Sequence, residues 1–193
     1  MEALKKFFNN QVPVPALAWI LIRSKFTEVD FKANEYLIKE GQIARFNFFI
    51  VKGIIRTFYI KNGKEITVDF GLENSFITSY SSFFTDTPSR CFLAALEPVK
   101  CYKISKKSLF GLYDEHKLGE RIGRTVAEKK FLQKEFRESA LLLDSPKERF
   151  DWLQENQKDW VQRIPQQYLA SYIGITPETY SRYRNPALNQ KIS

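Results

Sequence analysis

Glu178 and Arg182 stand four residues apart in the stretch from Ile164 to Arg184, and their types and spacing could read a nucleic acid. On a helix, a four-residue step keeps two side chains on one face. A carboxylate there can accept from cytosine N4, and a guanidinium one turn later can fork onto guanine O6 and N7. The neighbouring residues supply the helix. Pro165 can start a preceding helix, Leu169, Ala170 and Ile173 give it an inner face, and Gly174 ends it in the left-handed conformation of a sharp turn. Ile175 is the apolar plug of that turn, Thr176 the N-cap of the second helix and Pro177 its first residue. Two short helices about a Gly-containing turn form a helix-turn-helix, whose second helix enters the major groove. Gln166, Thr176, Ser181 and Arg184 suit phosphate contact. A plain helical hairpin shares this outline and remains the alternative.

Other chemistry finds little support in the composition. The 193 residues include one histidine, His116, and two cysteines, Cys91 and Cys101. Two cysteines ten positions apart make no C-x-x-C pair and no disulfide framework. Zinc and non-haem iron centres generally need two or more imidazoles, and a Ser-His-Asp site would rest on His116 alone. We therefore expect no enzyme, no catalytic residues, no metal site and no cofactor. Thirty Lys+Arg against 22 Asp+Glu leave a formal charge of +8, which favours an anionic partner. That excess is not the footprint of the candidate recognition helix. Residues 145–193 carry 7 basic and 5 acidic side chains, whereas residues 100–137 carry 11 and 5. The longest apolar run, Ala16 to Ile22, falls well short of the ~18 residues of a membrane span, and no signal peptide is legible. The expected location is the cytoplasm, with no membrane partner.

The elements that must position these residues follow from the change of period along the chain. Residues 1–24 read as two helical pieces split by Pro13 and Pro15. From Val29 to about Ile104, short runs rich in Ile, Val, Phe, Tyr and Thr alternate with turns. Candidate strands are 36–38, 46–51, 54–60, 65–70, 92–96 and 100–104, with Asn62-Gly63 the strongest hairpin signal. This is the texture of an antiparallel jelly roll or barrel, and with the flanking helices the expected class is α+β. A helical period then spaces Leu118, Ile122, Val126, Leu132 and Phe136 into one stripe on a long helix from about His116 to Leu143. Lys129 interrupts the stripe. An identical helix from a second chain is the simplest cover for it, and packing on the chain's own barrel is the alternative. Asp144-Ser145-Pro146 breaks the helix, with Ser145 and Glu148 forming a capping box for a helix over 146–155. Residues 160–164 read as a strand or extended segment. The expected division is a sensor-like roll over 1–115, a dimerisation helix over 116–144 and a helix-turn-helix domain over 145–193.

Taken together, the Glu40-Gly41, Val51-Lys52-Gly53 and Asn62-Gly63 turns, the long helix and the segment Leu169–Arg182 resemble the Crp/Fnr transcription regulators over essentially the whole chain. The resemblance implies a cyclic-nucleotide-binding-like domain joined to a DNA-binding domain. It also implies a homodimer on a pseudo-palindromic duplex, with RNA polymerase as a further partner. The family's base-reading Glu and Arg fall on Glu178 and Arg182; a further Arg often precedes that Glu, and Pro177 stands there instead. The phosphate cassette departs further. Ile77 and Thr78 replace the family's Gly-Glu, and Arg90 lies one position from the expected Arg, which aligns with Ser89. A one-residue shift in a strand turns a side chain to the other face. Thr78, Ser79, Ser89 and Arg90 are thus the remaining candidates for an effector pocket, the effector is open, and cyclic AMP is not expected. Iron–sulfur sensing would need about four cysteines. The competing reading is a small-molecule- or protein-binding module of the same fold that no longer reads DNA.

Overall fold

A computed structural model of the protein describes residues 1–115 and 117–185. His116, the expected start of the long helix, and the last eight positions of the expected helix-turn-helix domain lie outside the described residues. The described chain divides into two compact units: Met1–Tyr59 with Phe70–Lys130, and Ile60–Asp69 with the chain from Phe131 onward. The division falls inside the long helix rather than at its end. It also assigns a β-hairpin tip to the C-terminal unit, which only the fold could bring about.

In the first unit, helices α1 (Glu2–Gln11) and α2 (Ala16–Ser24) are separated at the expected prolines. The strands are β1 (Phe26–Phe31), β2 (Tyr36–Ile38), β3 (Phe46–Lys52), β4 (Ile55–Lys61), β5 (Lys64–Gly71), β6 (Phe76–Ile77), β7 (Phe92–Ala95) and β8 (Val99–Ser105). They form two four-stranded sheets, ordered β1-β8-β3-β6 and β2-β7-β4-β5. The registered pairs β1–β8, β2–β7, β3–β6, β3–β8 and β4–β7 are antiparallel. The expected α+β jelly roll is the observed one. Asn62 (φ 53°) and Gly63 (φ 73°) both adopt the positive φ that the tight β4–β5 turn requires.

Period-two alternation in β3 decides what each face holds. Phe48 and Ile50 enter the roll interior with Ile38, Ile55, Ile77, Leu93, Val99 and Cys101. Phe49 belongs to a second cluster with Leu4, Phe8, Trp19, Phe26, Phe76, Ile104 and Leu112. The rings of Phe7, Phe49 and Phe76 meet there at centroid distances of 5.1 to 5.5 Å. Burial in the roll pushes the Cys101 thiol up to about 12, with Asp30 adding to the shift, so it stays protonated near neutrality.

Several elements escape the sequence pattern. Strand β1 alternates Thr27, Glu28 and Asp30 with apolar residues at a sheet edge, and pairing with β8 from Phe26↔Ile104 to Phe31↔Val99 makes it a strand. Helices α3 (Tyr80–Thr85) and α4 (Lys106–Glu115) are likewise absent from the reading by period, as is the two-residue β6. Residues 160–164, expected to be extended, instead lie largely in helix α7 (Lys158–Arg163). Trp160 is buried with its ring centroid 5.2 Å from that of Tyr172, and that packing outweighs the weak local strand preference.

The long helix α5 runs Lys117–Leu143 and is followed by α6 (Pro146–Asn156), α8 (Gln166–Tyr172) and α9 (Pro177–Arg184). The capping box at the start of α6 is complete: the Glu148 N–H donates to Ser145 Oγ at 3.3 Å, and the Ser145 N–H donates to Glu148 Oε2 at 2.7 Å. Ser145→Ala should cost about 1 kcal/mol, read as a lower denaturant midpoint. Hydrogen bonds with Ser145, through its side chain and then its backbone, hold the Glu148 carboxyl below the ordinary carboxylate range. The box is therefore fully in force near neutrality and is lost as pH falls through that lowered pKa.

Candidate nucleic-acid interface

The second unit builds its exposed helix from local rules and then pins it from behind. Helix α8 ends at a turn in which the N–H groups of Ile173, Gly174 and Ile175 donate to the carbonyls of Leu169, Ser171 and Ala170. Gly174 takes φ +70°, a conformation that calls for glycine, and a Cβ there would also push on the Leu141 methyl 2.9 Å away. Thr176 caps α9, its Oγ1 accepting from the Thr179 N–H at 3.2 Å, with Pro177 at the first position. The inner face of α9 is fastened by Tyr180, which is buried against Phe150 at 5.1 Å and accepts from Gln154 Nε2 at 3.0 Å.

Glu178 and Arg182 are both exposed on the opposite side of α9, one turn apart. A hydrogen bond to its own backbone, then one with Thr176, holds the Glu178 carboxyl below its ordinary range, so it is a carboxylate near neutrality. The Arg182 guanidinium lies 5.9 Å from the Tyr183 ring. Gln166 is exposed at the first residue of α8, and Thr176 and Arg184 are exposed at the two ends of α9. Ser181 is half-buried. The Thr176 hydroxyl is already engaged as the cap, which leaves it less free for phosphate than the sequence suggests.

The four residues offered for an effector pocket divide. Thr78, Ser79 and Ser89 are buried while Arg90 is exposed, so the cation is separated from the hydroxyls, although Ser89 and Arg90 lie in the segment before β7 rather than in a strand. Thr78 Oγ1 donates to the Phe46 carbonyl at 2.9 Å. Ser89 Oγ lies 2.9 Å from Ser79 Oγ and 2.8 Å from the Cys91 carbonyl oxygen. Ser82 donates to the Thr87 carbonyl at 2.6 Å and accepts from the Ala44 N–H at 2.9 Å. These hydroxyls bind one another and the backbone.

Residues 28–116 match the model of the cyclic nucleotide-binding domain. No curated protein sequence matches the chain. Among solved structures, FixK2 from Bradyrhizobium japonicum is 19% identical with a TM-score of 0.71, covering 86% of each chain. The c-di-GMP-responsive global regulator CLP of Xanthomonas campestris is 14% identical with a TM-score of 0.70, over 92% of this chain and 94% of its own. A protein from Eubacterium rectale, described as a transcriptional regulator of the Crp/Fnr family, is 12% identical with a TM-score of 0.72, over 96% and 88%. The chain has the Crp/Fnr fold.

Within this Crp/Fnr fold, the five stripe residues of α5 have two different surroundings. Ile122 is buried in the chain's own second cluster, with Leu118 and Val126 packed against it. They do not form one outward seam with the rest, because α1, α2 and α4 already cover that half of the helix. Leu132 and Phe136 are exposed by 60% and 45%, and the Phe136 ring lies 4.7 Å from that of Trp152, tilted by 41°. Phe131, at 67%, belongs with them; it stands beside Leu132, one position off the helical period that picks out the stripe.

Two arginines that sequence reasoning passed over hold the Crp/Fnr C-terminal unit together. Arg149 donates from Nε to the Ile173 carbonyl at 2.7 Å and from Nη1 to the Asp144 carbonyl. Arg137 Nη2 donates to the carbonyls of Tyr172 at 3.0 Å and Thr67 at 3.1 Å. The Thr67 N–H in turn donates to Ser171 Oγ at 2.9 Å. The bonds to Asp144, Tyr172 and Ile173 satisfy carbonyls at the ends of α5 and α8, where helices leave orphan acceptors, and those of Thr67 reach strand β5. Their partners are 5 to 70 positions away in sequence, so no local signal announces them. Among the described residues, no helix is long and apolar enough to cross a membrane.

Proposed function

We propose that the chain is a homodimeric, sequence-specific DNA-binding transcription regulator that lays α9 into the major groove. The observation that carries this reading is the exposed pair Glu178 and Arg182, one turn apart on a helix whose inner face is fastened by Tyr180. In the groove, Glu178 accepts from a cytosine amine and Arg182 forks onto a guanine. Gln166, Ser181 and Arg184 contact phosphate and fix the register, with Thr176 holding the helix end. Selection of bound duplexes from a random pool tests the reading. The expected product is a pseudo-palindrome with half-sites about one helical turn apart, bound with a steep salt dependence. A pool that shows no enrichment overturns it. Salt-independent capture of a protein partner instead would favour the module that no longer reads DNA. Contact of the DNA-bound dimer with RNA polymerase belongs to the same proposal, and co-migration on the selected duplex tests it.

The dimer is proposed to form along the exposed half of α5. Phe131, Leu132 and Phe136 present apolar surface there, and Leu142 and Leu143 extend it at 77% and 82% exposure. Replacing Phe131 and Leu132 together by Glu should leave a folded monomer by analytical ultracentrifugation. Wild type that sediments as a monomer at concentrations where it binds DNA would rule this out. For the sensor domain we propose that cyclic AMP is not the effector. The acidic ribose anchor is replaced by Thr78, and the hydroxyls near the cassette are hydrogen-bonded internally.

A further inference from the structure

The second cluster of the N-terminal unit borders a pocket that has no part in the nucleic-acid interface. Its walls include Phe8, Phe26 and Phe76 on one side and Leu112, Ile122 and Val126 on the other. It holds about 460 Å³ of empty space, counting its opening to solvent. Beside Tyr113, one described wall residue breaks the apolar character. Asn47, at 6% exposure, lines this pocket, and its Oδ1 has no hydrogen-bond partner among the described residues.

That orphan is anomalous. A buried acceptor left unpaired costs about 1–3 kcal/mol. The alternation of β3 that sends Phe48 and Ile50 into the roll sends Asn47 and Phe49 the other way, so the side chain is held at this wall by the strand itself. Water is a poor occupant. It needs two to four polar partners, and the described wall offers Asn47 and Tyr113, the bottom of that range, in an otherwise apolar lining. Burial pushes the Tyr113 hydroxyl above its ordinary pKa and keeps it neutral, and the described wall residues carry no charged side chain.

We infer that this pocket binds a small uncharged hydrophobic molecule bearing a hydroxyl, whose O–H donates to Asn47 Oδ1 while its apolar body lies against Phe8, Leu112 and Ile122. An acceptor with no partner selects for a donor, and a wall of aromatic and branched side chains selects against charge. The inference concerns the N-terminal unit alone and stands independently of DNA reading.

The test compares hexan-1-ol with its isomer 1-methoxypentane, which has the same atoms but no O–H to donate. Methyl NMR on the full chain should show saturable shifts at Leu112 and Ile122 with hexan-1-ol, at an affinity roughly tenfold above that for the ether. Asn47→Leu should erase that difference, bringing the alcohol down to the ether. The same substitution should raise the thermal midpoint of the unliganded protein, because it removes a buried unpaired acceptor without leaving a cavity. Leu109→Phe, which narrows the pocket from α4, should weaken both ligands together. Equal affinity of wild type for the two isomers would overturn the inference. So would the absence of saturable shifts, or a preference for the alcohol that survives in Asn47→Leu.

Discussion

Arg182→Ala should lose its preference at one base pair of each selected half-site, at a cost of about 1–3 kcal/mol per site. The physical ground is the forked donor set of the guanidinium, which matches guanine O6 and N7 and no other base edge as well. Arg182 is exposed on α9 and not needed for the helix itself, whose stability rests on the Thr176 cap and on Tyr180. The variant should therefore keep its fold and its non-specific affinity. Binding measured against duplexes carrying all four bases at that position separates the two effects. Arg184→Ala provides the contrast, since losing a phosphate contact should weaken all sequences alike and reduce the salt slope by about one. Selectivity unchanged in Arg182→Ala would move base reading to another surface.

Leu169→Ala should be more damaging to the fold and should abolish DNA binding through it. Leu169 is fully buried in α8, as Leu153 is in α6, and its truncation leaves a cavity that costs about 2–5 kcal/mol. The neighbouring helices are short, so little structure is available to relax into the space. Hydrogen exchange should show amides over 166–184 losing protection, with the roll strands of the other unit largely unaffected. Unchanged protection over 166–184 would show that the inner face of α8 contributes less than its burial implies.

The helix-turn-helix is legible in the amino-acid sequence because its determinants are local. Gly174, Thr176 and Pro177 act within four residues of themselves, through φ preference, an N-cap and a first-position proline. The Asn62-Gly63 hairpin and the Ser145–Glu148 capping box are legible for the same reason. Edge strand β1 and helix α7 are not, since partners distant in sequence stabilise them: β8 for one, Tyr172 for the other. The α5 stripe lies between these cases. Its period is local, but its cover is not.

By itself, the sequence determined the α+β roll, the long helix and the placement of Glu178 and Arg182 on one face of a capped helix. Each depends on periodicity and capping over a few residues. Only the tertiary structure decided that Leu118, Ile122 and Val126 turn inward while Leu132 and Phe136 remain exposed. Only it showed that the hydroxyls of Thr78, Ser79 and Ser89 are bonded internally, and that Asn47 faces an apolar pocket with its acceptor unpaired. Those outcomes depend on which distant surfaces meet, and residue spacing along a chain does not encode that.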